Sequence, residues 1–500
     1  MTWWRRPQVT AAVVVIAGVV LALVATRHGP RLSPDSITYL SVAEHIRHGR
    51  GLVDFTDQPF SVFPPVFPLV LAPFGAALGW ARLVNVMALA ATGALLHHLL
   101  ATRVRGWVAN LAVLTVMVCQ GTVTVVGSTF SEPMFVAVAL AAIAVLGARP
   151  VTVRRAAVVG VLAGLGFLTR YAGVALVGAV VVAALAAGWP ERRADRRWWL
   201  PSAVIAGAAS AVSGAWLLRN LVVAGQPMGP RWSGGTNDRI DVLLWSPFQS
   251  VGTLLVGEGR IAARTAGVMA VLVLVAATVM VARRRSWPVV DVAMLLFGAA
   301  SIVVPVVARA VTASDVSGRV VWPALPCLAF GAALLLDAVA PRVPVVVVVA
   351  VLAGALLWTG GEGAATAVRW ADLPGSGDRD VYAPALHDMI DALPAGTLVL
   401  TNNPWGVWWQ HRGEPTLMAF VRPRTGNSHL PIDADELRRR VCAGPVALAF
   451  FTGLQNAGEG PRERRPELLQ VVDLRLVRRV SNGELYDVTP LDRAECPVSD

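Results

Sequence analysis

The chain has 500 residues, 55% of them hydrophobic and only 15% charged, with a formal charge of +11. Soluble domains run nearer roughly a quarter charged, so an ordinary string of soluble domains is excluded. All 43 basic residues are arginine, and they flank apolar runs instead of forming a stripe, which excludes a nucleic-acid-binding protein and predicts a polytopic membrane protein.

The first apolar run, Val9 to Thr26, follows Trp3, Trp4, Arg5 and Arg6. It is longer than the core of a secretory signal, and Ala25-Thr26-Arg27 makes a poor cleavage site, so a retained helix is expected. Further runs follow at 79–100, 107–127, 131–148, 156–169, 171–188, 199–218, 262–282, 288–308, 319–339 and 342–360. A crossing needs about 20 apolar residues, so the expectation is a mainly α bundle of about eleven spans. With the N-terminus in the cytoplasm, short Arg-dense connections share that side: Arg103 and Arg105; Arg149, Arg154 and Arg155; Arg192, Arg193, Arg196 and Arg197; Arg283, Arg284 and Arg285; and Arg342. The opposite side receives the longer segments 27–78, 219–261 and 361–500. The all-Arg, Ala- and Val-rich composition suggests the plasma membrane of a high-GC bacterium.

The division expected is therefore 1–360 as the transmembrane domain, with 27–78 as its first outer loop, and 361–500 as a small extracytoplasmic α/β domain. In the latter, 397–400 and 446–451 read as buried strands, 380–393 as an amphipathic helix and Ser481-Asn482-Gly483 as a turn. Cys119 and Cys327 fall in spans and read as packing residues. Cys442 and Cys496 lie in the outer tail, where an oxidising compartment permits a disulfide; two free thiols is the alternative.

Polar residues gather on the outer side. Ser33 can cap a short interfacial helix with Pro34 in its first turn, which places Asp35 at the mouth of the spans. Asp35 then either stabilises a helix dipole or does chemistry. The segment 63–73, broken by four prolines, suits a re-entrant or interfacial helix in a cavity wall. Ser131-Glu132-Pro133, Leu168-Thr169-Arg170-Tyr171, Trp216 to Asn220, and Asp315 to Arg319 reach the same side. Arginine is less expected there, although snorkelling would explain each one singly.

In this order, Pro34-Asp35-Ser36 to Tyr39 with Ala43 and Gly49-Arg50-Gly51, then Pro64, Pro65 and Pro68, Ser131-Glu132-Pro133, Leu168-Thr169-Arg170, Trp216 to Asn220, and Arg319 with Trp322-Pro323-Ala324-Leu325-Pro326 resemble the GT-C superfamily of integral-membrane glycosyltransferases. The likeness is nearest to protein O-mannosyltransferases and aminoarabinose transferases that use polyprenyl-phosphate sugars. It covers residues 8 to about 340 and, more loosely, the tail; each motif alone is weak, and their order carries it. The resemblance implies that Asp35 is the catalytic carboxylate of the first outer loop. Many relatives carry a second acid directly after it, where this chain has Ser36; Glu132 is the first candidate for that role and Glu44 the second.

The chemistry is consistent with the residues. A sugar on a lipid phosphate has a good leaving group, so the enzyme needs a base for the acceptor hydroxyl and cations for the departing phosphate. Asp35 and Glu132 are the catalytic candidates; Tyr39, Glu44, Arg170, Arg219, Asp315 and Arg319 are the substrate-binding candidates, with Asp315 orienting Arg319. The expected partners are a polyprenyl-phosphate mannose or arabinose, a glycan, glycolipid or protein acceptor, and the bilayer. A divalent cation is compatible with distant relatives, but no dense ligand set is visible, and His45 and His48 read as surface histidines. Two rivals stand beside this reading. One is a lipid or sugar transporter or flippase; the other is a receptor working through the tail, whose Trp405, Trp408, Trp409, His411 and Arg412 either stack on a sugar or dock on the membrane domain.

Overall fold

The computed structural model describes residues 7–148, 150–193, 196–229, 240–257, 259–284, 287–312, 316–371, 384–411, 416–418, 432–452, 466–491 and 496. Every one of the apolar runs is helical. α1 (Pro7–Ala25) leads into α2 (Pro34–Arg47), capped by Ser33, whose hydroxyl accepts the Ser36 N–H at 3.2 Å. α2 was expected to lie in the membrane interface; instead it is enclosed by protein, with Ile37, Tyr39, Leu40, Val42 and Ala43 buried. The proline-broken stretch folds as the short α3 (Val66–Leu71) and one 3-10 turn. Its turn closes at Gly75 with φ +58°, where a Cβ would run into the Glu44 carboxylate.

α4 (Leu78–Ala101) is followed by α5 (Gly106–Val118) and α6 (Gln120–Val126), which the sequence presented as one run. They are bent by 54° because Cys119 is extended, and the Thr122 hydroxyl satisfies the Val116 carbonyl exposed by the break at 2.6 Å. α7 (Glu132–Gly147), α8 (Val153–Thr169), α9 (Val174–Gly188) and α10 (Leu200–Ala224) complete the middle of the bundle. α7 packs against α13 (Val289–Thr312), with Phe135 and Phe297 edge to face at 5.8 Å.

Between α10 and α13 the structure corrects the sequence reading. The segment 219–261 is not simply a loop: α11 (Ile240–Val256) forms a hairpin with α12 (Arg260–Ala282). Pro247 and the polar Ser246, Gln249 and Ser250 had hidden it as an apolar run. The two helices touch backbone to backbone, since a Cβ at Gly252 would strike Ala263 and one at Gly267 would strike Phe248. α14 (Gly318–Val321), one 3-10 turn and α15 (Leu325–Val339) follow, then α16 (Val345–Ala371), which runs past the expected end at 360. Among the described residues, seven helices are long and apolar enough to cross a membrane, or eight with α5 and α6 taken as one bent span. That is fewer than eleven, partly because helices such as the 16-residue α7 are short.

Arginines tie each end of the bundle together. At the Arg-rich end, Arg103 and Arg284 meet the buried Asp291 at 2.8 and 3.2 Å, and Arg105 meets Asp337 at 2.7 Å. Arg149 and Arg285 lie outside the described residues. At the opposite end, Arg82 donates to the Leu23 carbonyl and Arg27 to the Ala371 carbonyl, closing the C-termini of α1 and α16.

The tail carries α17 (Pro384–Asp391), β1 (Leu398–Thr401), α18 (Pro404–Gln410), β2 (Thr416–Met418), α19 (Ala434–Ala443), β3 (Val446–Phe451), β4 (Val472–Val480) and β5 (Gly483–Pro490). They form one sheet of order β2-β1-β3-β5-β4, parallel at β1–β2 and β1–β3 and antiparallel at β3–β5 and β4–β5. Residues 380–383 of the expected amphipathic helix and Arg412 are outside the described residues. Cys442 at the end of α19 and Cys496 form a disulfide, while Cys119 and Cys327 are free and buried.

Two outcomes follow. Unfolded without reductant, the chain should release two reactive thiols, and four after reduction; native protein should release none on the timescale of a surface thiol. Gly267→Leu should destabilise the α11–α12 hairpin by about 2 kcal/mol or more, read as a lowered melting temperature in lipid, because the Phe248 backbone cannot yield.

Candidate active site

The N-terminal turn of α2 places Asp35 where the ends of α6, α7, α8 and α14 converge. Its Oδ2 accepts from Arg319 at 2.5 Å, joining residues 284 positions apart. Both side chains are partly open, at 26% for Asp35 and 30% for Arg319. The guanidinium also lies over the Phe130 ring at 4.6 Å, which fixes its plane. Asp315, expected to orient Arg319, lies outside the described residues.

One helical turn along α2, Tyr39 faces the same way. Its ring packs between Phe63 and Phe67, each at 5.1 Å, and its hydroxyl lies 3.3 Å from Ser131 Oγ. Burial pushes this hydroxyl above its usual range, while Arg170 pulls the other way. The phenol therefore stays protonated and can donate. Arg170 donates to the same Ser131 Oγ at 3.2 Å and pairs with Glu132 at 2.7 Å. Glu132 is fully buried, so the residue named as a second catalytic acid is held inside as the counter-charge of Arg170. Arg170 Nε is buried and has no acceptor among the described residues.

Two candidates are not brought to this cluster. Glu44 follows Asp35 by nine residues, about two and a half helical turns, so it faces the other side of α2. There its carboxylate accepts the Ala76 N–H at 2.8 Å and fixes the α3–α4 turn. Arg219 is spent on the Phe60 carbonyl at 2.5 Å and on Asn220 at 2.9 Å, stacked over Trp216. Tyr171 donates to the Ser61 carbonyl beside it at 3.0 Å. These residues pin the loop between α2 and α3 and through it the Phe63 wall of Tyr39. His45 donates to the Val53 carbonyl at 2.8 Å and is buried, whereas His48 is exposed, so the two do not converge.

Sequence reasoning passed over Ser131 as a functional group, although it quoted the residue beside Glu132. Phe130 gave no signal, because a lone aromatic at a span end is ordinary. The tryptophans of α18 are a docking patch: Trp408 is 3% exposed, packed among the apolar residues of α2, with His45 edge-on at 6.4 Å. That indole is closed to a sugar.

No family model matches this sequence, and no curated protein does. Solved structures do resemble it in fold. ArnT from Cupriavidus metallidurans bound to undecaprenyl phosphate is 13% identical, with a TM-score of 0.64 over 95% of this chain and 97% of that one. The oligosaccharyltransferase of Archaeoglobus fulgidus in complex with Zn and sulfate is 13% identical, with a TM-score of 0.55 over 95% and 72%. The same archaeal enzyme, AglB, with an inhibitory peptide and a dolichol-phosphate is 11% identical, with a TM-score of 0.55 over 99% and 76%. The chain shares the fold of these structures.

A zinc ion accompanies one of these solved structures. Among the described residues no three His, Cys, Asp or Glu converge, and Asp35 and Glu132 are each held by a guanidinium, so the described carboxylates alone do not form a divalent-ion site.

Glu132→Ala should destabilise the protein by about 3 kcal/mol by leaving Arg170 buried without its counter-charge. A double-mutant cycle with Arg170→Ala in thermal melts should recover much of that loss.

Proposed function

We propose that this chain is a membrane glycosyltransferase that moves a sugar of mannose or arabinose type from a polyprenyl-phosphate donor to an acceptor hydroxyl on the extracytoplasmic side. The fold supports the class. The observation that supports the reading is the partly open Asp35–Arg319 pair, a carboxylate and a guanidinium in direct contact, which the reading takes as base and phosphate-binding cation.

The acceptor oxygen forms a bond to the anomeric carbon as the bond from that carbon to the phosphate oxygen breaks, inverting the centre. The acceptor proton passes to Asp35, and the bonding pair leaves on the lipid phosphate, which gains one negative charge. When Asp35 takes up the proton it releases the positive charge of Arg319 as the phosphate becomes more negative. A guanidinium that shifts allegiance in this way binds the transition state more tightly than the substrate. Arg170 adds a largely buried positive charge behind the site, and the protonated Tyr39 hydroxyl bonds to the Ser131 that Arg170 also reaches. Glu132 and Ser131 hold Arg170 and Tyr39 in place, and Glu44 and Arg219 shape the walls. A divalent ion would have to displace Arg319 from Asp35, so no step runs through one. The lipid tail lies between spans, and α18 covers the back of α2. The Arg-dense connections fit a cytoplasmic N-terminus in a bacterial plasma membrane, with the sheet outside.

The test is transfer of labelled sugar from polyprenyl-phosphate donors by the purified protein in lipid. Asp35→Asn should lower turnover by about a hundredfold or more with folding intact. Arg319→Lys should lower it by about a hundredfold through loss of the bidentate fork. No transfer from mannose or arabinose donors by a folded, lipid-binding wild type would overturn the reading in favour of transport.

A further inference from the structure

α16 carries a glutamate that the proposed reaction does not employ. Glu362 lies in the run Thr359-Gly360-Gly361-Glu362-Gly363, nine residues before the helix ends at Ala371. At 1.5 Å per residue this is about 13 Å inside the helix end. The glycines let α16 cross the α5–α6 break closely: a Cβ at Gly363 would strike the Val118 carbonyl, and one at Gly360 would lie 3.4 Å from Val118 Cγ2. At this crossing Glu362 is partly buried and makes no hydrogen bond or ion pair among the described residues.

Its surroundings are electron-rich. Gln120, the first residue of α6, has a fully buried Oε1 with no partner among the described residues. Gly257 closes α11 with φ +85°. A Cβ built there would lie 3.0 Å from Gln120 Oε1 and 3.7 Å from Glu362 Oε2, so both oxygens border one small space that glycine leaves open. The third wall is the C-terminus of α11, the negative end of its dipole. Turning the Gln120 amide would supply one N–H, which cannot neutralise a carboxylate beside a helix C-terminus.

We propose that Glu362, Gln120 and the C-terminal end of α11 bind one monovalent metal cation, Na⁺ or K⁺. Among the described residues the space has a single carboxylate, which is balanced by a single positive charge. A divalent ion takes six or more oxygen ligands, typically with several carboxylates, and would leave net charge in an apolar setting. The bound ion joins α6, α11 and α16 beneath Thr122, whose hydroxyl accepts from Trp322 Nε1 at 3.1 Å, one turn beyond Arg319. The site is thus a staple under the reaction centre, separate from it.

The experiment measures the melting temperature of the full chain in lipid nanodiscs at fixed pH and ionic strength. NaCl, KCl and MgCl₂ are titrated against choline chloride. The wild type should gain about 3 °C, saturably, in NaCl or KCl over choline. Glu362→Gln should fold and melt at one temperature in all salts. Gln120→Ala should need about tenfold more cation for the same rise. A wild-type melting temperature equal in the metal chlorides and choline would overturn the proposal. So would a response retained in Glu362→Gln, a midpoint unchanged in Gln120→Ala, or saturation by Mg²⁺ at far lower concentration. A melting temperature that follows pH and not the metal would assign the space to a proton on Glu362. Because none of these readouts uses sugar transfer, the proposal stands or falls independently of the glycosyltransferase reading.

Discussion

A carboxylate and a guanidinium at the mouth of an apolar bundle are stable only as a pair, and the Asp35–Arg319 contact is the constraint that the site end satisfies. It requires α2 to hold one rotation about its axis, and α2 is fastened on several sides to do so. Ser33 caps its start, and Tyr39 is gripped by Phe63 and Phe67. Glu44 binds the Ala76 N–H, and His45 binds the Val53 carbonyl. Arg319, for its part, lies over the ring of Phe130, which immediately precedes Ser131 and Glu132. The buried pair and the open pair therefore share a scaffold: the turn into α7 positions the cation of one and supplies the acid of the other.

The sheet of the tail belongs to the same constraint. α18 stands between β1 and β2, and its short length leaves Trp408 projecting into the apolar back of α2. A helix with polar Asp35 on one face and Leu40, Ala43 and Ile37 buried cannot sit in lipid or water alone, and the tryptophan face supplies the missing cover. The tail thus acts on the site through packing, and the α1–α16 bundle and the sheet meet at an apolar surface with His45 at its edge.

How much of this was legible in the sequence depended on the physical signal each feature left. Apolar runs gave the helices, and arginine placement distinguished the two ends of the bundle, because both depend on composition over many residues. α11 was missed because Pro247 and its polar neighbours erase the apolar run, while its stability comes from Gly252 and Gly267 meeting backbone, a tertiary fact. The bend at Cys119 was hidden for the same reason: its lost hydrogen bond is repaired by Thr122, which reads as an unremarkable polar residue inside a span. At the site, Asp35 and Tyr39 share a face by the helical period, and that same period already separates Glu44 from them. The counter-charge role of Glu132 was not legible, since burial depends on where Arg170 arrives from another helix.

The arginines at the site end also separate by what they touch. Arg27, Arg82 and Arg219 donate to backbone carbonyls, two of them at helix C-termini, where the acceptor cannot change charge. Such contacts hold chain geometry whatever happens in the site. Arg170 and Arg319 face carboxylates, and the two differ in one respect. Glu132 is sealed from solvent, so in the proposed reaction Arg170 keeps its partner throughout. Asp35 is partly open, so in that reaction Arg319, and not Arg170, exchanges a carboxylate for a phosphate. Positive charge at this end is therefore not one phenomenon: Arg27, Arg82 and Arg219 cap carbonyls, Arg170 is held by a buried glutamate, Arg50 pairs with the exposed Asp57 and Arg319 with the partly open Asp35, and the last pair is the one the proposed reaction uses.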